Sequence, residues 1–482
     1  MFFLRSLIIF SSFIYCNNLN HDILVKVNDR TITKNEFIKR SEYTIRPHYC
    51  KGDNNIDKKI ILNSLIAEKL MAIEIEDNLL SDDFSNNFIE GLKEQKMREV
   101  FLENEIYNSI QIDSSLIQKY FINATKEYNV QFLSIGESEL SKEVDSLLRN
   151  DIAFKEICHD YFFLDEIPNK KINFFDEYDP HIIRSVFSKK LIKNQVIGPI
   201  LSKDKRYLYL KILGFSSEPA ITHYDKSKLW DDVKSKIYKN KCLMAYDDFV
   251  LSIMTGLKME IMEEPFLEFL NREYDKYYRN VKNEKQIYWD VPRIENKEYS
   301  INPNQQLLFV NEKQYKISDI DLLIEKHPLV FRKEQITKND FPLQLKYAIA
   351  DLIRDEEINY IAYQENYDNH PDVKKETTIF RDAILSTFHL RTYLEGKNIS
   401  IEEYNKNHIN VIENHLNDYI EYLISKNTSK ISINFNLLDQ IKLTHIDLYA
   451  YKKGVPYPFV VPTFPILTTK YKLDYGKEMN LP

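Results

Sequence analysis

Along the chain, the first clear pattern of apolar and polar positions runs from Ile23 to Asn78. Ile23, Val25 and Val27 alternate with Leu24 and Lys26, which predicts a short strand. Asn28-Asp29 supplies residues that tolerate the left-handed turn conformation, and Arg30-Thr31-Ile32 returns as a second strand. Thr33 with Glu36 has the spacing of a capping box, and Ile32 with Phe37 that of the hydrophobic staple around it. From Ile60 to Asn78, apolar residues at Ile61, Leu62, Leu65, Ile66, Leu70, Ile73 and Ile75 recur at helical spacing. Glu68, Lys69, Glu74 and Glu76 take the other face.

The same reading carries on down the chain. Phe84, Phe88, Leu92, Met97, Val100 and Phe101 form the apolar stripe of a helix over Ser81 to Ser109. Asp113-Ser114-Ser115 caps another helix, which should end near Tyr128. From Asn129 to Phe215 the order changes to a strand at Val130 to Ile135, helices at Leu140 to Leu148 and Phe154 to Tyr161, and an aromatic strand or turn at Ile172 to Phe175. A helix over Pro180 to Lys189 and a closing strand at Tyr207 to Leu213 follow. Asp231 to Phe269 reads as one long helix, Asn271 to Pro303 as a polar linker, Ile399 to Lys426 as a helix and Ile431 to Ile433 as a short strand.

A weaker copy of the opening pattern returns about 285 residues later. Val27-Asn28-Asp29-Arg30-Thr31-Ile32 is echoed by Val310-Asn311-Glu312-Lys313-Gln314-Tyr315, Glu36-Phe37 by Asp319-Ile320, and Leu65-Ile66-Ala67-Glu68 by Leu352-Ile353-Arg354-Asp355. Lys316 stands where the first copy has its capping threonine, so the second helix is expected to start later, at Ser318. The tail Val455 to Leu467 carries four prolines among Phe, Val, Tyr and Ile, which favours an extended course. Two readings of it stand: a tail laid over its own domain, or a segment that docks on a partner or fills a client groove.

Composition narrows the function classes. A chain of 482 residues has room for about three domains, and 43% hydrophobic residues suffice for real cores. A mean hydropathy of −0.43 excludes a polytopic membrane protein. The net charge of −8, with both signs interspersed, gives no nucleic-acid footprint. The 9 glycines form no phosphate-binding loop and the 11 histidines no metal-ligand spacing, so no cofactor and no metal are expected. Met1 to Tyr15 has one basic residue and an apolar run too short to span a bilayer, as in a signal peptide. Cys16 closes that run, as in bacterial lipoprotein signals, although Tyr15 precedes it where a small residue is usual. Export is expected; lipidation at Cys16 and release without a lipid are both open. Cys50, Cys158 and Cys242 are too far apart for a zinc site, and which pair is bridged, if any, is undetermined.

The segments VKVNDRTITKNEF and ILNSLIAEKLMAIEIEDN resemble the N-terminal chaperone domain of the SurA/PpiD/PrsA group of extracytoplasmic folding factors. Within 129–218, FKEICHDYF, KNQVIGPI and RYLYLKILGF resemble the parvulin-type prolyl isomerase domain that these proteins usually carry. The resemblance implies a mainly α protein with small α+β parts. Its expected layout is a signal peptide at 1–16, a helical chaperone-like domain at 17–128, an inserted degenerate parvulin-like domain at 129–218, a helical return segment and linker at 219–300, and a second chaperone-like repeat with the proline-rich tail at 301–482. Active parvulins place one histidine on the first strand and one on the last; the matching positions here are Phe132 and Leu208. The proline-cup motif appears as Tyr178-Asp179-Pro180-His181-Ile182, and Asn173 replaces a glycine before the aromatic strand.

What the resemblance implies is therefore a binding surface rather than an isomerase site. Its expected lining is Phe132, Phe174, Phe175, Tyr178, Pro180, Ile182, Phe187 and Leu208, with no catalytic residue; His159 and His181 read as surface residues. The expected partners are unfolded clients, outer-membrane proteins among them, met in the periplasm with or without a lipid anchor, and no nucleic acid. Two alternatives remain: an active prolyl isomerase with a diverged site, and a structural assembly subunit built on the repeated helical domains.

Overall fold

The structure is a computed structural model that describes residues 22–52, 54–79, 83–282, 301–444, 448 and 450–479. Cys16 and the expected signal peptide lie outside the described residues, as does most of the expected linker. Among the described residues the fold is mainly helical with three small sheets. The described residues make two compact units: one is Phe101–Thr255, and the other combines those from 22 to Val100 with those from Gly256 onward. These limits differ from the four expected domains. The helices flanking 129–218 belong to its unit, and the N-terminal hairpin shares a core with the C-terminal segments.

In the second unit, Ile23–Val27 and Arg30–Thr33 pair as an antiparallel hairpin, turned by Asn28 at φ 60°. The helix Lys34–Glu42 follows, and its cap is only half the expected box. The Thr33 hydroxyl accepts the Glu36 N–H at 3.2 Å, but the Glu36 carboxylate lies against the Lys69 ammonium, at 3.2 Å. Gln306–Val310, Lys313–Lys316 and the helix Ile317–Lys326 repeat this succession, with Asn311 at φ 53°. That helix starts directly after Lys316 rather than later, where the Asp319 carboxylate accepts the Lys316 N–H at 2.8 Å and supplies the reciprocal half of a capping box. A long helix follows in each case, Asn54–Leu79 and Phe341–Gln364.

The two hairpins are completed differently. Ile431–Ile433 adds antiparallel to Ile23–Val27, and Lys477–Glu478 adds parallel beyond it. The second hairpin gains Met259–Ile261 instead. The single long helix expected over Asp231 to Phe269 is therefore two, His223–Met254 and Glu263–Lys282. Gly256 breaks them at φ 88°, a conformation open to glycine at little cost. The helix expected over Ile399 to Lys426 is likewise interrupted at Asn407, and Asp113 caps a helix that stops at Phe121, since Tyr128 already lies in a strand. Cys50, Cys158 and Cys242 are free and buried; burial pushes the Cys50 thiol to about 12 and Cys158 to about 11.

Charges are buried where the elements of this unit meet. Arg40 forks onto Glu68 at 2.9 and 2.6 Å and also donates to the Thr463 carbonyl at 2.8 Å. Lys69 lies 3.2 Å from both Glu36 and Asp382, and Arg30 donates to Asp382 at 2.8 Å. A second polar cluster joins Glu94 of the helix Asp83–Leu102 to His327 at 2.7 Å and to Asn359 at 3.1 Å. Burial favours a neutral Glu94, but the His327 hydrogen bond, with Lys326 and Arg98, outweighs it and holds the carboxyl at about 2.

The proline-rich tail lies over its own unit, with Phe464 and Leu467 in the large core and the Ile466 carbonyl accepting from the Tyr404 hydroxyl. Gly91 on Asp83–Leu102 faces the end of Ile317–Lys326 so closely that a Cβ there would overlap the Lys326 carbonyl and crowd the Tyr457 hydroxyl. Both obstacles are held, one by backbone and one by packing. Gly91→Ala should therefore cost about 1–3 kcal/mol, read as a lower urea midpoint at unchanged slope. An unchanged midpoint would mean that the two helices do not approach this closely.

Candidate functional site

The unit Phe101–Thr255 is built on a four-stranded antiparallel sheet. Its order is Asn169–Asn173, Lys126–Ile135, Tyr207–Ser217 and Val196–Leu201. Alternation along the two central strands sends Tyr128, Val130, Phe132, Leu208, Leu210 and Ile212 to one face. Leu133, Ile135 and Tyr209 go to the other, where the helix Ser138–Arg149 and the turn of helix at Phe154–Glu156 cover them. The first face carries the expected site.

On that face the helix Pro180–Phe187 starts at a buried Asp179, whose carboxylate accepts the His181 N–H at 2.8 Å and the Lys203 N–H at 2.7 Å. Proline at the first helical position suits this start, because its missing N–H would have had no partner there. Ile182, Ile183, Val186 and Phe187 then turn inward. Asn173, in the place of the family's glycine, makes a side-chain turn: its Oδ1 accepts the Phe175 N–H at 3.0 Å. Phe174 thereby points into the core and Phe175 out of it, with the two rings edge to face at 5.1 Å.

The expected lining divides in two. Phe174 and Phe187 are wholly buried, in edge-to-face contact at 5.4 Å, and Ile182 and Pro180 are buried beside them. Side chains with no surface cannot line a groove, so these four are core. Phe132, Tyr178 and Leu208 are half-buried against the same cluster, and Phe175 is 40% exposed. Phe132 faces Leu210 and Leu208 faces Ser134 across the central strand pair, which makes Phe132 and Leu208 diagonal neighbours on one face. Tyr178 donates its hydroxyl to the Lys171 carbonyl at 2.9 Å, and the Lys170 ammonium lies 4.9 Å from its ring centre.

Two features of the face were not legible in the motifs. The helices Ser114–Phe121 and His223–Met254 contribute Ile117, Tyr120, Val233 and Ile237 to its core, so part of it is roofed by the chain itself. Lys236 secures that roof by donating to the Asp176 carbonyl at 2.8 Å. Polar groups also remain beside Leu208: Arg206 donates to the Ser134 hydroxyl at 2.7 Å and to the Ser134 carbonyl at 2.9 Å. Their signal in the sequence was the polar positions next to Leu133 and Tyr207, which strand alternation assigns to a margin of the sheet.

This arrangement can bury an apolar side chain, but it holds no imidazole. His159 is exposed and paired with its neighbour Asp160 at 2.8 Å, and His181 bonds through its backbone, its N–H to Asp179 and its carbonyl to the Ser185 hydroxyl. Tyr178 is raised by burial and then by Asp176 and Glu127, away from the neutral range. Among the described residues, no group of three His, Cys, Asp or Glu side chains could hold a metal ion, and no helix is long and apolar enough to cross a membrane.

No family model matches the chain, and no curated protein matches it. Among solved structures, it is similar to the foldase protein PrsA from Streptococcus pneumoniae at 14% identity and a TM-score of 0.19, over 45% of this chain and 91% of that one. The foldase protein PrsA from Lactococcus lactis gives 11% identity and a TM-score of 0.18, over 48% and 92%. Likenesses at such TM-scores carry no argument about function.

Proposed function

We propose that the chain is an exported folding factor that holds unfolded or extended client polypeptides and does not efficiently isomerise prolyl bonds. It acts in the periplasm, with Cys16 as the site of a lipid anchor and outer-membrane proteins among its clients. The observation that carries this reading is the pair Phe132 and Leu208. They are diagonal neighbours on one sheet face, half-buried and apolar, at the positions where the parvulin resemblance expects imidazoles. With Tyr178 and Phe175 they leave an aromatic and aliphatic margin. Burying apolar area there gives sequence-tolerant affinity at about 25 cal/mol per Å². A second reading, a diverged isomerase, is favoured by the Ser134–Arg206 pair beside Leu208.

Holding is tested by light scattering as an unfolded outer-membrane protein is diluted from urea. The intact chain should slow aggregation at near-equimolar ratio, and Phe132→Asp with Phe175→Asp should remove a large part of that effect. A chain that leaves the aggregation rate unchanged is no holder of such clients.

A further inference from the structure

Besides two large cores, the described residues of the second unit form a small, separate apolar cluster of Leu92, Phe380, Ile384 and Tyr457. Leu92 comes from Asp83–Leu102, and Phe380 and Ile384 from the helix Pro371–Gly396. Tyr457 comes from neither. It belongs to the segment Tyr451–Phe459, which folds back on itself. Tyr451 and Phe459 form an isolated antiparallel bridge, the Lys452 N–H donates to the Pro458 carbonyl at 2.7 Å, and Gly454 turns the chain at φ 77°.

The pocket reads this folded-back segment much as a receptor reads a bound peptide. The Gln95 side-chain amide accepts the Tyr457 N–H at 2.9 Å and donates to the Tyr457 carbonyl at 2.9 Å, which pairs it with the backbone of one residue. The Tyr457 ring packs edge to face on Phe88 at 4.9 Å, and its hydroxyl donates to the Lys326 carbonyl at a helix end. Pro456 and Pro458 flank it, and each ring fixes its own φ, which narrows the conformations open to the turn. Lys452 adds an ion pair with Glu99 at 2.8 Å. Backbone pairing plus one buried aromatic anchor is a general mode of peptide capture.

The place of the cluster in the fold also matters. The next apolar anchors of the tail, Phe464 and Leu467, lie in the large core, whereas Tyr457 lies outside both large cores. Lifting 451–459 therefore uncovers the pocket without opening either core.

We propose that the pocket of Phe88, Leu92, Gln95, Phe380 and Ile384 is a docking site for an aromatic residue on an unfolded client segment. Tyr451–Phe459 is the chain's own occupant of it in the client's absence. This inference rests on the client-holding reading. It makes the free pocket a minor state, so a client binds more weakly than the pocket itself would allow, by the fraction of chains in which the pocket is open.

The test uses the full chain and a fluorescent peptide of residues 451–459. Tyr457→Ser loosens the internal occupant and leaves the pocket lining intact, so it should tighten peptide binding by about tenfold or more over the wild type. Adding Gln95→Ala should reverse most of that gain. Equal binding by wild type and Tyr457→Ser, or a gain indifferent to Gln95→Ala, overturns the proposal. A measurement free of mutations supports it: saturating peptide should speed hydrogen exchange at the amides of 451–459 in the wild-type chain, and unchanged exchange overturns it. An unfolded outer-membrane protein should displace the peptide from Tyr457→Ser. If the wild-type chain holds that client yet the client leaves the peptide bound, the docking assignment fails alone; if it does not hold the client at all, the failure lies in the proposed function.

Discussion

Lys69→Met should lower the stability of the chain by about 3–5 kcal/mol, a large part of the margin by which most domains stay folded. Lys69 is almost completely buried, 3.2 Å from Glu36 and 3.2 Å from Asp382. Burial disfavours its charge, but Glu36, Asp382 and Glu68 outweigh that and raise it above the ordinary lysine value. Methionine fills a similar volume, so little packing is lost, and the cost comes from carboxylates left buried with one cation fewer. Arg30 still reaches Asp382, whereas among the described residues the ion pair of Glu36 is with Lys69. Urea unfolding followed by circular dichroism measures the effect, and hydrogen exchange over 23–42 should show its local share. Lys142→Ala, at an exposed pair with Glu139 on the chain surface, should leave the midpoint where it is. A Lys69→Met chain as stable as the wild type would show that the network is not closed to water.

Turnover of a prolyl tetrapeptide by the purified chain should sit near the uncatalysed rate. The barrier to be lowered is about 18–20 kcal/mol, and no bond is made or broken, so catalysis depends on polar groups placed against the amide. Losing one positioned polar group typically costs an enzyme about 10² to 10⁴ in rate. Phe132 and Leu208 offer neither donor nor acceptor, and both lie on the same face beside the apolar cluster. Phe132→His with Leu208→His should raise the rate measurably, because the two positions are diagonal neighbours and Ser134 with Arg206 already stands beside one of them. Rapid turnover by the natural sequence would instead make Ser134 and Arg206 the polar machinery and favour the isomerase reading.

The candidate site was legible in part. The resemblance picked out Phe132 and Leu208, which the strand register then places on one face, and the helix expected from Pro180 packs on that face. Burial was not legible. Phe174 and Phe175 are adjacent and chemically identical, yet one is wholly buried and the other 40% exposed, because the Asn173 turn sets their directions. The roof contributed by Ser114–Phe121 and His223–Met254 was also hidden, since amphipathic helices reveal that they pack but not on what.

The sequence by itself determined the local pieces: both hairpins, their Asn turns, the Thr33 and Asp113 caps and the two central strands of the α+β unit. Each depends on a few neighbouring residues, whose conformational preferences and periodicity are written in consecutive positions. Only the tertiary structure decided that Ile431–Ile433 pairs with Ile23–Val27, that Asp382 meets Arg30 and Lys69, and that Tyr457 is held by Gln95. These contacts join residues hundreds of positions apart. Strand edges, charges and amides are chemically alike all along a chain, so local pattern cannot choose among partners. The choice falls to the packing that buries them together, where an unmatched charge or backbone group is too costly to keep.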